Sequence, residues 1–470
     1  MSALWTSKEV LEATGGDAKP KKKWEATGIS IDSRTTKKGD LFVAIKGDNK
    51  NGHEFVEKAL KKGAVAAIIS EEPEKLPKGA NLVIVKNTIE ALAQLAIAAR
   101  TRSEAKIFAV TGSVGKTSVK EALNVVLSTL GKTYATEGNL NNHIGLPLSL
   151  ARMPADTEYG VFELGMNHAG EISYLTNILR PDVAIITAIE AVHLEFFESI
   201  EQIADAKSEI LEGVVDGGIA VLPFDSKFYG KMEKAARAQG IENVISFGSD
   251  DGARYRLIGR GEETEGQSLR VNIDGIPVVY KLGSAGKHAA INSVAVLAAI
   301  ANACNLEPKK FMGAFKEVKP AEGRGKIYKL KLGSTDFTLI DDSYNASPAS
   351  MRAAIDTLSQ VKIKIAGRSI AALGDMLELG ENSVEFHKSL KDDISKSKTD
   401  VVYTVGEMMS ELYNELPEEI RGGHFASTEE LFAAIEKEMN NNDILLIKGS
   451  HGTEMWKLAE SIRKKAKSRK

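Results

Sequence analysis

Short apolar runs alternate with helical periods along most of the chain. Residues 41–45 (LFVAI), 64–69 (AVAAII) and 82–85 (LVIV) predict strands, and Phe55, Val56, Ala59 and Leu60 mark one face of a helix between the first two. A further helix is predicted over 91–100, and the polar stretch 101–106 reads as a boundary. Beyond it come strands at 107–110, 160–163, 183–189 and 219–222, with a helix over 119–130. Alternation in SLRVNIDGIPVVY suggests a hairpin between residues 255 and 280, and helices are expected from 289 to 315. A last block has strands at 337–340, 369–373, 401–405 and 444–447. Each runs into a polar or glycine-bearing turn: DDSYNASP, GDMLELG, GEMM and KGSHG.

Strands alternating with helices predict an α/β protein with mostly parallel sheets covered on both faces. The chain has 470 residues, enough for three domains at ~150 residues each. The expected divisions are 1–103, 104–320 and 321–470. In the last of these the pattern is Rossmann-like, with ligand-bearing turns at the carboxyl ends of strands.

Composition narrows the function. A net charge of −3 argues against a general nucleic-acid binder. The basic clusters at Lys19, Lys21 to Lys23 and the C-terminal tail read as solvated surface. The single cysteine, Cys304, forms no intrachain disulfide, and no run of 18 apolar residues occurs. A cytoplasmic protein without a membrane span is expected.

The sharpest chemical signal is Thr111-Gly112-Ser113-Val114-Gly115-Lys116-Thr117-Ser118, set between a predicted strand and a predicted helix. A glycine-rich turn lets backbone N–H groups approach ATP phosphates, and the helix N-terminus adds its dipole. Lys116 would counter phosphate charge and Thr117 would ligate Mg²⁺. The early glycine of the general pattern is replaced by Val110, giving the shorter T-G-x-x-G-K-T form.

Glu163 closes one predicted strand and His193 follows another, so parallel strands would bring both to the phosphate edge. Each is either structural or a metal ligand. Lys207 lies on the apolar stripe of SIEQIADAKSEILEGVV, four residues after Ile203 and three before Ile210. Two readings of it stand: a snorkelling lysine at the stripe's rim, or a confined neutral amine. In the second, reaction with carbon dioxide would give a carbamate that offers oxygens to a metal. The run from Gly138 to Pro147 (GNLNNHIGLP) is either an amide-rich turn or a site for sugar, phosphate or peptide groups.

Together these residues resemble the Mur ligase family. The stretches that carry the likeness are DSRTTKKGDLFVAIKGDNKNGHEF, TGSVGKTS, GNLNNHIGLPLSL, FELGMNHAGEI, IDDSYNASPASM, LGDMLELGENS and DILLIKGSHGTEMW. They span nearly the whole chain in the family's order. The resemblance implies a three-domain Mur ligase architecture, with a central phosphate-loop sheet and a Rossmann-like C-terminal domain. It also implies ATP-driven addition of D-alanyl-D-alanine to UDP-N-acetylmuramoyl-tripeptide in cell-wall synthesis, by a monomer. Catalysis would involve Lys116, His193 and Lys207. ATP would be held by residues 111–118 together with Asn292, Arg324, Asp342 and Asn345. One Mg²⁺ would sit on Thr117 and Glu163, and a second on His193 and carbamylated Lys207. Ser33 and Arg34 would contact the uridine nucleotide, and Asn139 and Asn142 the muramoyl part. A sister ligase of the Mur or folylpolyglutamate type, with a different amine acceptor, is the alternative. A non-enzymatic nucleotide switch would leave Lys207, the asparagine run and the last domain without purpose.

Because both the central and C-terminal domains would supply nucleotide contacts, closure about a hinge at residues 319–325 is expected.

Overall fold

The structure is a computed structural model that describes residues 3–47, 50–192, 194–263, 266–364 and 367–468. Three main sheets follow one another along the chain, giving the expected three-domain α/β architecture. The first has five strands in the order Asp17–Lys19, Leu82–Ile84, Ala66–Ile69, Asp40–Val43, Gly28–Ser30, parallel except for the first. The helix predicted over 91–100 runs from Thr88 to Thr101, because the Asn87 side chain accepts hydrogen bonds from the backbone of Ile89 and Glu90. A helix that the apolar pattern did not predict, Ser7–Thr14, is set by a capping box between Thr6 and Glu9.

The central sheet has nine strands. Lys106–Thr111 lies in its middle, paired in parallel with Val183–Ile186 on one side and Tyr159–Glu163 on the other. Alternate strand residues feed two cores. Phe108, Val110, Val161, Val183 and Ile185 pack under the helices Lys116–Leu127 and Lys287–Ala303. Ile107, Ala109, Phe162, Ala184 and Ile186 pack under Glu171–Leu179 and Ile200–Ser208. Burial on both faces explains the unbroken apolar runs.

Two expectations need refinement here. The hairpin region is a three-stranded antiparallel meander, Tyr255–Glu262, Gln267–Ile273 and Ile276–Leu282, that continues the central sheet to its edge. The helical stretch expected to residue 315 stops at Ala303 and resumes as short 3₁₀ turns around Pro308 and Phe315.

Seven strands form the last sheet, in the order Arg421–Phe425, Val401–Val405, Ser369–Gly374, Ile444–Lys448, Thr335–Asp342, Lys326–Leu332, Lys467–Ser468. The first five are parallel and end at one edge. The first sheet docks on the second through Trp5, whose indole N–H donates to the Ala151 carbonyl at 2.9 Å, and through Arg152, which donates to the Ile29 carbonyl at 2.8 Å. No helix among the described residues is long and apolar enough to cross a membrane.

Candidate active site

The phosphate loop leaves the carboxyl end of Lys106–Thr111 and enters the helix Lys116–Leu127. Gly112 has φ +149°, and a Cβ there would lie 2.0 Å from the Thr187 hydroxyl. Gly115 has φ +90°, and a Cβ there would meet the Asn292 amide at 2.9 Å. Only glycine fits either position. Thr187 ties the turn together by donating to the Val114 carbonyl at 2.5 Å. Ser113 does the same by exchanging hydrogen bonds with the Glu190 backbone at 2.9 and 3.1 Å. The helix has no side-chain N-cap, so its first-turn N–H groups stay available to an anion.

Lys116 folds back over this loop and donates to the Gly112 carbonyl at 2.7 Å. Burial pushes its ammonium below the ordinary lysine value, Glu163 pulls the other way, and Arg324 adds to the lowering. Lys116 has no carboxylate ion-pair partner among the described residues and is suited to meeting phosphate charge.

Glu163 is 3% exposed, and each of its oxygens has a donor. Thr117 Oγ1 donates to one at 2.9 Å and Asn141 Nδ2 to the other at 2.8 Å. A hydroxyl and a carboxylate in contact beside a phosphate loop are hard oxygen donors that fit Mg²⁺. Among the described residues no cluster of three His, Cys, Asp or Glu occurs.

Lys207 is 1% exposed, and its Nζ has no hydrogen-bond or ion-pair partner among the described residues. Burial holds it well below the ordinary lysine value, and the Lys116 charge pushes the same way. A surface-seeking lysine is thereby excluded: the amine is buried close enough to the phosphate loop to feel the Lys116 charge. His193 lies outside the described residues.

The C-terminal sheet brings a second group of residues to the same place. The Arg324 guanidinium stacks 4.3 Å from the Tyr344 ring centroid, and its charge bears on Lys116. Asp342 ends the strand Thr335–Asp342, and burial pushes its carboxyl up while Lys448 opposes the shift. Lys448 Nζ, 2% exposed, donates to Asp342 Oδ2 at 2.7 Å and to the Asn345 carbonyl at 2.9 Å. Contacts across the two sheets include Glu195 N to the Glu378 carbonyl at 3.3 Å. Arg352 also counters the burial-driven rise of the Glu190 carboxyl.

Residues 111–118, Glu163, Lys207, Asn292, Arg324, Asp342 and Asn345 therefore converge. Ser33 and Arg34 do not belong to this group; they follow the strand Gly28–Ser30, where Arg34 pairs with Asp32 at 2.7 Å. Asn139 is exposed, without a side-chain partner among the described residues. The Asn142 side chain accepts from the backbone of Ile144 and Gly145 at 3.2 and 2.8 Å, opening the helix Gly145–Ala151. Asn141, Thr187 and Lys448 were not singled out in the sequence. Asn141 carried a local signal as part of the amide-rich run from Gly138 to Pro147, and Lys448 as a cation closing the buried strand ILLIK.

Comparison with known proteins agrees with this geometry. The profile described as Mur ligase middle domain matches residues 110–300, the Mur ligase, glutamate ligase domain 323–451, and the Mur ligase family, catalytic domain 25–100. The chain is 36% identical over 457 residues to UDP-N-acetylmuramoyl-tripeptide--D-alanyl-D-alanine ligase of Rickettsia prowazekii (strain Madrid E), covering 97% of this chain and 99% of the relative. Its fold is similar to that of MurF from Acinetobacter baumannii, with TM-score 0.84 and 30% identity over 97% and 98% of the two chains. A similar fold is found in MurF ligase from Thermotoga maritima in complex with ADP, with TM-score 0.77 and 27% identity over 93% and 97%.

Proposed function

The chain belongs to the Mur ligase family, and from that premise we propose that it adds D-alanyl-D-alanine to UDP-N-acetylmuramoyl-tripeptide, forming ADP and phosphate in peptidoglycan precursor synthesis. The observation that carries the reading is the convergence of the phosphate loop, the Thr117–Glu163–Asn141 contact and Lys207 with Arg324 and Asp342 from the last sheet. A simple nucleotide switch has no use for the buried amine or for the second sheet.

Carboxylate and amine do not condense in water, because oxide is a poor leaving group. Transfer of the terminal phosphoryl of ATP to the tripeptide carboxylate gives an acyl phosphate, whose phosphate then leaves as the dipeptide amine attacks the carbonyl carbon. Lys116 and the first-turn N–H groups hold the phosphates, and Arg324 adds positive charge from the opposite side. Thr117 and Glu163 would hold one Mg²⁺, and Lys207 as its carbamate, with His193, a second. Magnesium, when bound, supplies neutralisation of phosphate charge during transfer.

In this reading residues 1–103 hold the uridine nucleotide through Ser33 and Arg34, and 104–320 hold ATP. Residues 321–470 complete the nucleotide site through Asp342 and Asn345. Asn139 faces the muramoyl group from its exposed turn, with Asn142 shaping that turn. The enzyme works as a cytoplasmic monomer.

Product analysis with ATP, UDP-N-acetylmuramoyl-tripeptide and D-alanyl-D-alanine tests this. ADP, phosphate and a pentapeptide product are expected. AMP with pyrophosphate would defeat the acyl-phosphate route, and product only with another amine would favour a sister ligase.

A further inference from the structure

Lys120 is a fully buried charged side chain in the central domain that the mechanism above does not use. It lies on the helix Lys116–Leu127, one turn beyond Lys116, yet it is 1% exposed. A buried ammonium needs acceptors, and this one donates to the Thr136 carbonyl at 2.8 Å and the Gly138 carbonyl at 3.3 Å. Glu121 Oε1 lies 2.9 Å away.

Both carbonyls belong to the chain that leaves the strand Thr133–Ala135 and turns at Gly138, where φ is +59°. Three residues further on is Asn141. Its N–H donates to the Asn139 carbonyl at 2.8 Å, its carbonyl accepts from Gly165 N at 2.9 Å, and its amide donates to Glu163 at 2.8 Å. The other oxygen of Glu163 accepts from Thr117, on the same helix as Lys120. The connections therefore close into a ring: helix, Thr117, Glu163, Asn141, the 136–141 chain, Lys120, and the helix again.

We infer that Lys120 is a positioning residue, tying the 136–141 chain to the phosphate-loop helix and so fixing, through Asn141, the direction in which Glu163 points. The inference rests on the proposed role of Glu163. An apolar side chain would fill the same space but leave two carbonyls without donors. It would also open the ring at the link between the asparagine turn and the helix interior. Displacement of a reacting group's support by ~1 Å costs on the order of 10²-fold in rate, so a rigid ring matters for transfer as well as for folding.

The test is a double-mutant cycle of K120M and N141A in the full-length enzyme. It is read by magnesium titration of pentapeptide formation and by hydrogen–deuterium exchange without nucleotide or metal. In K120M, exchange over residues 136–142 should quicken by about tenfold, while the C-terminal sheet is unchanged. The turnover number should fall by about 10-fold or more, with a several-fold rise in the magnesium needed for half-maximal rate. N141A should add less than about twofold to K120M, because both act through one carboxylate. K120R, which keeps donors for both carbonyls, should recover most of the loss. Wild-type exchange and magnesium requirement in K120M, or losses that multiply with those of N141A, would overturn the inference. Should K120M not fold, K120Q is read in the same cycle. The exchange result judges the tether even if the wild type joins some other amine, so failure of the proposed function is seen separately.

Discussion

Replacing Lys448 with methionine should destabilise the C-terminal domain in a way that acid relieves. Lys448 is 2% exposed and donates to Asp342 Oδ2 at 2.7 Å and to the Asn345 carbonyl at 2.9 Å. Methionine keeps most of the volume, so the main change is loss of the charge partner of Asp342, whose side chain is 22% exposed. Removing one member of a buried pair costs about 3–5 kcal/mol, and the partial exposure of Asp342 points to the lower end. About 3 kcal/mol in a domain of roughly 150 residues corresponds to a fall of roughly 6–12 °C in its unfolding midpoint.

The pH dependence has a definite sign. Burial already holds the Asp342 carboxyl above the ordinary aspartate value, with Lys448 opposing the shift. Without the lysine it rises further. The folded variant then keeps a proton that the unfolded chain, with an aspartate value of about 3.9, has released. Stability of K448M therefore falls as pH rises through the folded value, and the deficit against wild type narrows on acidification from pH ~7 towards ~5. Calorimetry of wild type, K448M, D342N and the double variant across that range measures it. In the double variant the uncompensated charge is gone, and part of the loss should return. A K448M midpoint within about 1 °C of wild type at neutral pH, or a deficit that grows in acid, would refute the reasoning.

The remaining expectations concern the phosphate loop and the domain contact. G115A places a Cβ against Asn292 at φ +90°, so about 1–3 kcal/mol of strain should raise the KM for ATP roughly tenfold, as steady-state kinetics would report. Incubation with ¹³C-bicarbonate should give wild-type enzyme a carbamate carbon signal that K207R lacks, because the buried Lys207 amine has no partner among the described residues. Solution scattering should show compaction when an ATP analogue and the tripeptide substrate are added; unchanged curves would count against closure.

Much of this site was legible in the sequence because its residues stand at strand ends. The loop 111–118, Glu163 and Asp342 each terminate an apolar run, and parallel pairing carried the first two to the carboxyl edge of the central sheet and Asp342 to the carboxyl edge of the last sheet. Lys207 was visible as a cation on an apolar stripe, but periodicity alone could not separate a rim position from full burial. The asparagine run was also conspicuous, yet which amide reaches Glu163 depends on how the chain turns at Gly138. The strand Arg421–Phe425 escaped because RGGHF has neither apolar alternation nor a continuous run. Asn243–Gly248 escaped because NVISFG holds only three apolar residues, interrupted by Ser246.

The expected hinge at residues 319–325 is too broad, and the reason bears on how closure would assemble the site. At its start, the Val318 carbonyl accepts from Ser284 Oγ at 2.9 Å, so the chain there is still held by the central domain. From Glu322 onward it is held by the C-terminal domain. Arg463 reaches Glu322 at 3.1 Å, Tyr344 N donates to the Gly323 carbonyl at 3.0 Å, and Gly325 N donates to the Asp341 carbonyl at 2.8 Å. The chain thus passes from the hold of one domain to that of the other between Val318 and Glu322. Arg324 lies just past this crossing, stacked on Tyr344 of its own domain. If the last domain closes as proposed, Arg324 and Asp342 would move together, because both belong to it. In the proposed closure, positive charge would arrive opposite Lys116 as the last sheet docks, and the placement of a single arginine would couple phosphoryl transfer to that movement.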